Sequence, residues 1–320
     1  MRPSTVAELE RFPEEGAIWL SVESIRKLSP DSHSIVEFLT PLDANILTKI
    51  SKQPLLGEQI VGSWNIRLGR ELHMTDDSPM FKPAPSDSRL PLFEGKMIHQ
   101  FKVDHADPKY WLEESESRRR LLPRDEEDTG QELWYQSPRL AFREIARNTD
   151  ARTVIAAILP PTVLANHKLT LVSISGSNNV PELSAYLLGV WNSFVFDFVA
   201  RQRVTTNVSM FTIHQLPLPR LPVFDVNVQK IVRRAARLTC TTPAYDRYVK
   251  VFGLRDHSDG TTDPAERARL RAELDGLVAH LYGLTEDEFS HILASFPLVT
   301  EPVKQAARNA YRDVERGLIH

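Results

Sequence analysis

Between Leu183 and Val199 the apolar residues fall at steps of three and four: Leu183, Tyr186, Leu187, Val190, Trp191, Phe194, Val195, Phe198 and Val199. Residues so spaced line one stripe of an α-helix, and that stripe must be covered by another layer. The spacing predicts one long amphipathic helix running to Arg201-Gln202-Arg203, where cations complement the helix dipole. The chain before it reads as β. Arg139–Ile145, Thr153–Leu159 and Leu169–Ile174 are short β-rich runs, closed by Pro160-Pro161 or by a Gly-Ser-Asn turn cluster.

The chain after it reads as helical. Leu216–Pro222 carries three prolines in seven residues and is expected to be a stiff linker. Asp225 caps a helix with Val228, Ile231, Val232, Ala235 and Leu238 on one face. Asp263, Pro264 and Glu266 fit N-cap, N1 and N3 of the next, and Gly283 is its expected C′ residue. Thr285 and Glu288 form a capping box, and a last helix follows Pro302. Nearer the start, strands are expected at Ala17–Val22, Gly62–Leu68 and Lys96–Phe101, and a helix at Asp43–Ile50 with Asp43 as N-cap. The fold class is therefore α+β: a β-rich domain over 1–222 with a charged, exposed excursion at about 102–132, then a helical region over 223–320.

The charge is segregated. Residues 133–240 hold 12 Lys and Arg against 5 Asp and Glu, whereas the whole chain has a net charge of -3. A local positive field attracts polyanions even on a slightly acidic chain. One cysteine, Cys240, leaves no internal disulfide, and no uninterrupted apolar run reaches the roughly 18 residues of a membrane span. Met1 to Glu15 lacks the apolar region of a signal peptide, so a cytoplasmic protein is expected.

Much familiar chemistry is missing from the sequence. No G-x-G-x-x-G or P-loop motif is present, nor H-E-x-x-H, C-x-x-C or G-x-S-x-G. One nuclease-like pattern remains: Pro30-Asp31 followed by Glu94-Gly95-Lys96, two carboxylates and a lysine that could serve a divalent cation. The gap between the two halves is long, and Pro-Asp is also an ordinary turn dipeptide. A non-catalytic protein-interaction scaffold is the other alternative.

Four patches carry a resemblance. They are Arg70-Glu71-Leu72-His73-Met74-Thr75-Asp76-Asp77-Ser78 with Phe81; Pro91 to Phe101; Arg139 to Arg147 with the run to Pro160-Pro161; and Leu187-Leu188-Gly189 with Asn192-Ser193, Arg201, Thr205 to Asn207, Phe211 and Gln215-Leu216-Pro217. A tail follows, Arg271 to Asp275, Leu281-Tyr282-Gly283-Leu284 and Ile292 to Pro297. In this order they resemble the C-terminal specificity half of large adenine-N6 DNA methyltransferases. Its kin are type IIG restriction-modification enzymes and the methyltransferases of phage-defence systems such as BREX and DISARM. The resemblance implies recognition of double-stranded DNA. It also implies a methyltransferase catalytic module as partner, with S-adenosylmethionine and any nuclease metal bound there. The Asn-Pro-Pro-Tyr-type motif of the catalytic half is absent: Pro160-Pro161 stands between Leu159 and Thr162, without the amide and aromatic that would hold a flipped adenine. The chain is thus expected to be a separate specificity subunit or a C-terminal piece, with no cofactor of its own.

The candidate DNA-binding residues fall in groups. Arg139, Arg143 and Arg147 share a face on a strand or a helix, and with Arg152 in the same segment suit phosphate or guanine contacts; internal pairing to Glu144 or Asp150 is the competing reading. Arg201, Arg203, Thr205, Thr206, Asn207 and Ser209 form a basic, hydroxyl-rich loop, or else a helix end and a polar turn. Lys96, His99 and Gln100, and likewise Arg70, His73, Thr75 and Asp77, either face the duplex or are ordinary half-exposed positions. Trp191, Phe194 and Phe198 belong to the core stripe, and Lys230, Arg233, Arg234 and Arg237 to a solvated helix face.

Overall fold

The structure, a computed structural model, describes residues 6–11, 40–204 and 206–319. It is a mixed α+β fold. The expected strand at Ala17–Val22 and the residues Asp31 and Thr205 lie outside the described residues.

After α1 (Val6–Arg11) and α2 (Pro41–Ile50) come the strands β1 (Asn65–Gly69), β2 (Arg89–Phe93) and β3 (Tyr110–Glu113), then α3 (Glu114–Leu121). Next are β4 (Arg139–Arg143), β5 (Ala156–Leu159), β6 (Leu164–Ala165) and β7 (Leu169–Ser175). The helices α4 (Val180–Trp191), α5 (Phe194–Arg201), α6 (Met210–His214), α7 (Val226–Thr239), α8 (Pro264–Leu281), α9 (Glu286–Ala294) and α10 (Glu301–Glu315) complete the chain.

The strands form a four-stranded sheet in the order β1-β7-β4-β5, antiparallel throughout, and a three-stranded sheet β3-β2-β6. Alternation along β4 explains the layering. Leu140 and Phe142 face the helices and join the main core, while Ala141 faces the other way, into a second cluster with Phe93, Met97, Val163 and Leu169. A third cluster, around Leu92, Leu112 and Tyr135, fills the small sheet.

The long helix expected over 183–199 is broken. α4 and α5 meet at 66°, with Asn192 ending the first and Ser193 capping the second through a hydrogen bond from Phe196 N–H at 3.2 Å. The periodicity continues through the break because both halves are buried, so the apolar pattern alone cannot report it. Among the described residues no single helix is long and apolar enough to cross a membrane.

The proline segment is also not a free linker. Leu216 and Leu218 are fully buried, and the strip is held from several sides. Leu56 N–H donates to Leu216 O at 3.0 Å and Leu218 N–H to Pro54 O at 2.9 Å. The hydroxyls of Tyr282 and Tyr186 donate to the carbonyls of Pro217 and Pro219, at 2.8 and 2.9 Å. An extended proline run offers carbonyls with few N–H groups of its own, and the tyrosines satisfy them. One apolar core therefore runs from Ala44 to Ile319 across residue 222.

Three further expectations shift. Thr40, not Asp43, is the N-cap of α2; Asp43 is the N3 partner of its capping box. Residues 96–101 are not a strand: Gly95–Met97 is a 3-10 turn, and His99 and Lys102 close a tight corner over Gln100 and Phe101. Phe101 sits there at φ 59° with its ring in the core. The charged excursion contains β3 and α3, and carboxylates inside and outside it hold two of its arginines. Arg118 donates to both carboxylate oxygens of Asp128 at 2.8 and 2.7 Å, and Arg120 to Asp77 at 2.7 Å.

The expected caps at Asp225, Asp263 and Thr285 are all formed, and Gly283 has φ 66°. The closest helix contact is between α8 and α10. A Cβ on Gly276 would lie 2.8 Å from the Ala310 and Tyr311 backbone, so Gly276→Ala must push the two helices apart. We expect it to cost roughly 1–3 kcal/mol, read as a lowered midpoint of thermal unfolding.

Candidate nucleic-acid interface

Where β4 and β1 end and β7 begins, the sheet presents a basic rim. Gly69 is opposite Leu171 and Arg143 opposite Leu169, so Arg70, Arg143 and Lys168 sit at one end of the sheet. A groove of about 400 Å³ lies beside it, lined by Lys96, Arg143, Arg147 and Lys168 together with Glu94 and Asp150. Lys96 pairs with Glu94 at 2.9 Å, and Asp150 accepts the Arg147 backbone N–H at 2.9 Å. The guanidiniums of Arg143 and Arg147 and the ammonium of Lys168 have no carboxylate within ion-pair distance among the described residues. Arg143 Nε is buried and makes no hydrogen bond. Such a guanidinium is a donor waiting for an acceptor.

Several cations lie around His99, behind the groove. Burial lowers His99 to about 4, and the neighbouring His105, Arg143, Arg271 and Arg152 push in the same direction. Its ring lies 5.2 Å from that of His105. Arg70 flanks the groove through a 2.6 Å ion pair to Glu144, whose same oxygen also accepts from Thr170 Oγ1 at 3.1 Å. His73 stacks on His167 at 4.5 Å, next to Lys168, and Thr75 is exposed nearby. Asn207 is bridged to Ile145 on the same side, and Thr206 beside it is exposed.

Other candidates are turned inward and need correction. Arg139 does share a face of β4 with Arg143, but the second sheet covers that face. Its guanidinium is wholly buried, 2.5 Å from Glu71 and 2.5 Å from Val163 O. Arg152 is held by Asp197 at 3.0 Å and by Asn192 O at 2.6 Å. Arg201 is held by Asp197 at 3.7 Å and by Asp150 O. Arg203 donates to Gln215 O at 2.8 Å. Gln100 is buried, with its amide donating to Asn192 O at 3.0 Å, so it anchors its corner and does not face solvent. Ser209 caps α6 by accepting from Thr212 N–H at 3.0 Å. Internal pairing wins for Arg139 and Arg152, though with Glu71 and Asp197 and not with the Glu144 or Asp150 carboxylates expected from sequence; Arg234, expected on a solvated face, is likewise buried against Glu273 at 2.6 Å.

Lys168 and His167 were not singled out by sequence reasoning. The signal was present: Asn166-His167-Lys168 is a polar triplet between two apolar runs, and a turn joining strands of two sheets exposes its side chains. In the nuclease-like pattern, Glu94 and Lys96 pair with each other while Asp31 lies outside the described residues. Among the described residues no group of three metal-ligating side chains forms. Compared with models of known protein families the chain matches none, and no curated protein matches its sequence.

Two measurements separate structural from surface cations. Arg139→Ala leaves Glu71 buried without its counter-ion, held among the described residues only by the Ala165 N–H, and is expected to cost on the order of 3–5 kcal/mol in chemical denaturation, whereas Lys168→Ala should leave stability unchanged. His99 has a folded-state pKa near 4, below its ordinary 6.5. The folded protein therefore binds this proton less readily, and stability should fall as pH drops from about 6.5 towards 4. His99→Gln should flatten that acid limb, and the imidazole should titrate near 4 by NMR.

Proposed function

We propose that this chain is a sequence-specific double-stranded DNA recognition module that positions an adenine-N6 methyltransferase of a restriction-modification or phage-defence system. It acts in the cytoplasm, lacks methyl-transfer chemistry of its own and works with a catalytic partner that carries S-adenosylmethionine. The observation that supports this best is the groove of Lys96, Arg143, Arg147 and Lys168, in which three of the four cations lack a carboxylate partner among the described residues. A partly desolvated arginine beside two further cations without carboxylate partners suits a phosphodiester, which accepts a bidentate fork and releases counterions. Arg70, His73, Thr75, Thr206 and Asn207 flank the groove with groups able to reach base edges. The resemblance of the ordered sequence patches points to the same chemistry.

Fluorescence anisotropy with a labelled duplex tests this. Binding should weaken steeply with salt, and Arg143→Ala or Lys168→Ala should each reduce the slope of log K against log salt by about 1. Arg233→Ala, exposed on α7, should not. No binding at low ionic strength, or slopes untouched by both groove variants, would sink the reading.

A further inference from the structure

A second cavity lies away from the groove, where the α4–α5 break faces α8 and the start of α10. It has a volume of about 330 Å³. One wall carries Arg152 and Phe194, the opposite wall Arg271 and Asp275 of α8, and Val299 and Val303 close it with apolar surface. Its electrostatics are unfinished. The charges of Arg152 and Arg201 converge on Asp197, but Arg271 has no carboxylate within ion-pair distance among the described residues; its Nε donates to Arg267 O, at 3.3 Å in its own helix.

Asp275 is one turn further along the same face. Its Oδ1 accepts the Phe194 N–H at 2.8 Å, and its Oδ2 takes no hydrogen bond from the described residues. Residues at this spacing ordinarily pair across the turn. Here they do not, and both border the same void. Burial raises Asp275 to about 6 in spite of Arg152 and Arg271, and burial also lowers Arg271. Each group therefore carries a desolvation cost that its neighbours leave uncompensated.

We propose that this cavity is a binding site for a small amino-carboxylate with an apolar side chain. The carboxylate takes the Arg271 fork, the ammonium donates to Asp275 Oδ2, and the side chain packs against Val299 and Val303. The volume suits a ligand of that size. A simple anion leaves Asp275 unmatched, and a simple amine leaves Arg271 unmatched. The inference stands independently of DNA binding, since it uses none of the groove residues.

Isothermal titration of the whole chain with leucine, 4-methylpentanoate and 3-methylbutylamine is the test, with thermal unfolding as a control for folding. Leucine should bind at least ten-fold tighter than either analogue. Arg271→Gln should weaken leucine ten-fold or more, and Asp275→Asn should weaken leucine while leaving 4-methylpentanoate unaffected. Because Asp275 also holds the start of α5, Ala306→Trp at the exposed mouth provides a second variant; it should block leucine without lowering the unfolding midpoint. The proposal is overturned if leucine, methionine and phenylalanine all fail to bind at millimolar concentration. It is equally overturned if leucine binds no tighter than its analogues, or if binding survives Arg271→Gln or Ala306→Trp.

Discussion

The carboxylate of Asp197 organises the centre of this molecule. It is fully buried at the start of α5 and accepts the backbone N–H groups of Thr153, at 3.0 and 3.1 Å, and Val154, at 2.7 Å. Arg152 and Arg201 neutralise it from two directions. A buried charge is tolerated when its lone pairs are this fully engaged. The contact fixes where the turn after β4 meets the helices, and so fixes Arg147 and Asp150 at the rim. Asn192 completes the junction. Its amide exchanges hydrogen bonds with Ala156, at 3.1 and 3.0 Å, as a neighbouring strand would. The helix break is thus the place where the sheet's edge is satisfied, and the interruption of α4 follows from that role.

This changes the meaning of the positive middle third. Seven of its ten arginines are structural: Arg139, Arg152, Arg201, Arg203, Arg220, Arg234 and Arg237 hold carboxylates or carbonyls across the fold. Guanidinium suits such positions because one planar group can satisfy several acceptors at once. Arg220 alone reaches the carbonyls of Trp64, Leu55 and Leu56, at 2.6, 3.1 and 2.7 Å, while lying over the Trp64 ring at 4.5 Å. Among the described residues the cations of this third that lack an acceptor are Arg143, Arg147 and Lys168 at the rim and Lys230 and Arg233 on α7, so fewer of them act outward than the composition implies.

The elements with strictly local causes were legible in the sequence. Caps at Asp225, Asp263 and Thr285, and strands β4, β5 and β7, follow from neighbouring residues, and the α+β class follows from them. What was not legible depends on partners far along the chain. Whether Arg139 faces water or Glu71 depends on a second sheet folding over β4, and no spacing within 139–147 encodes that. The break at Asn192 depends on Ala156, and the proline strip on Tyr186 and Tyr282. In the candidate site, Lys96, Arg143 and Arg147 were readable as candidate cations, whereas Lys168 joins them only through the register of β7 on β4.

The strip at 216–222 also bears on how the chain reaches this state. Its backbone pairs with residues 54–56, some 160 positions earlier, and its side chains lie beneath helices synthesised later. Closing so long a loop brings no reward until both ends are present. During synthesis the early strands must wait, partly uncovered, until Leu218 leaves the ribosome, and the final seal needs Tyr282 as well. Assembly of this protein is therefore expected to be slow and late, with chaperone dependence set by the lifetime of that unsealed sheet.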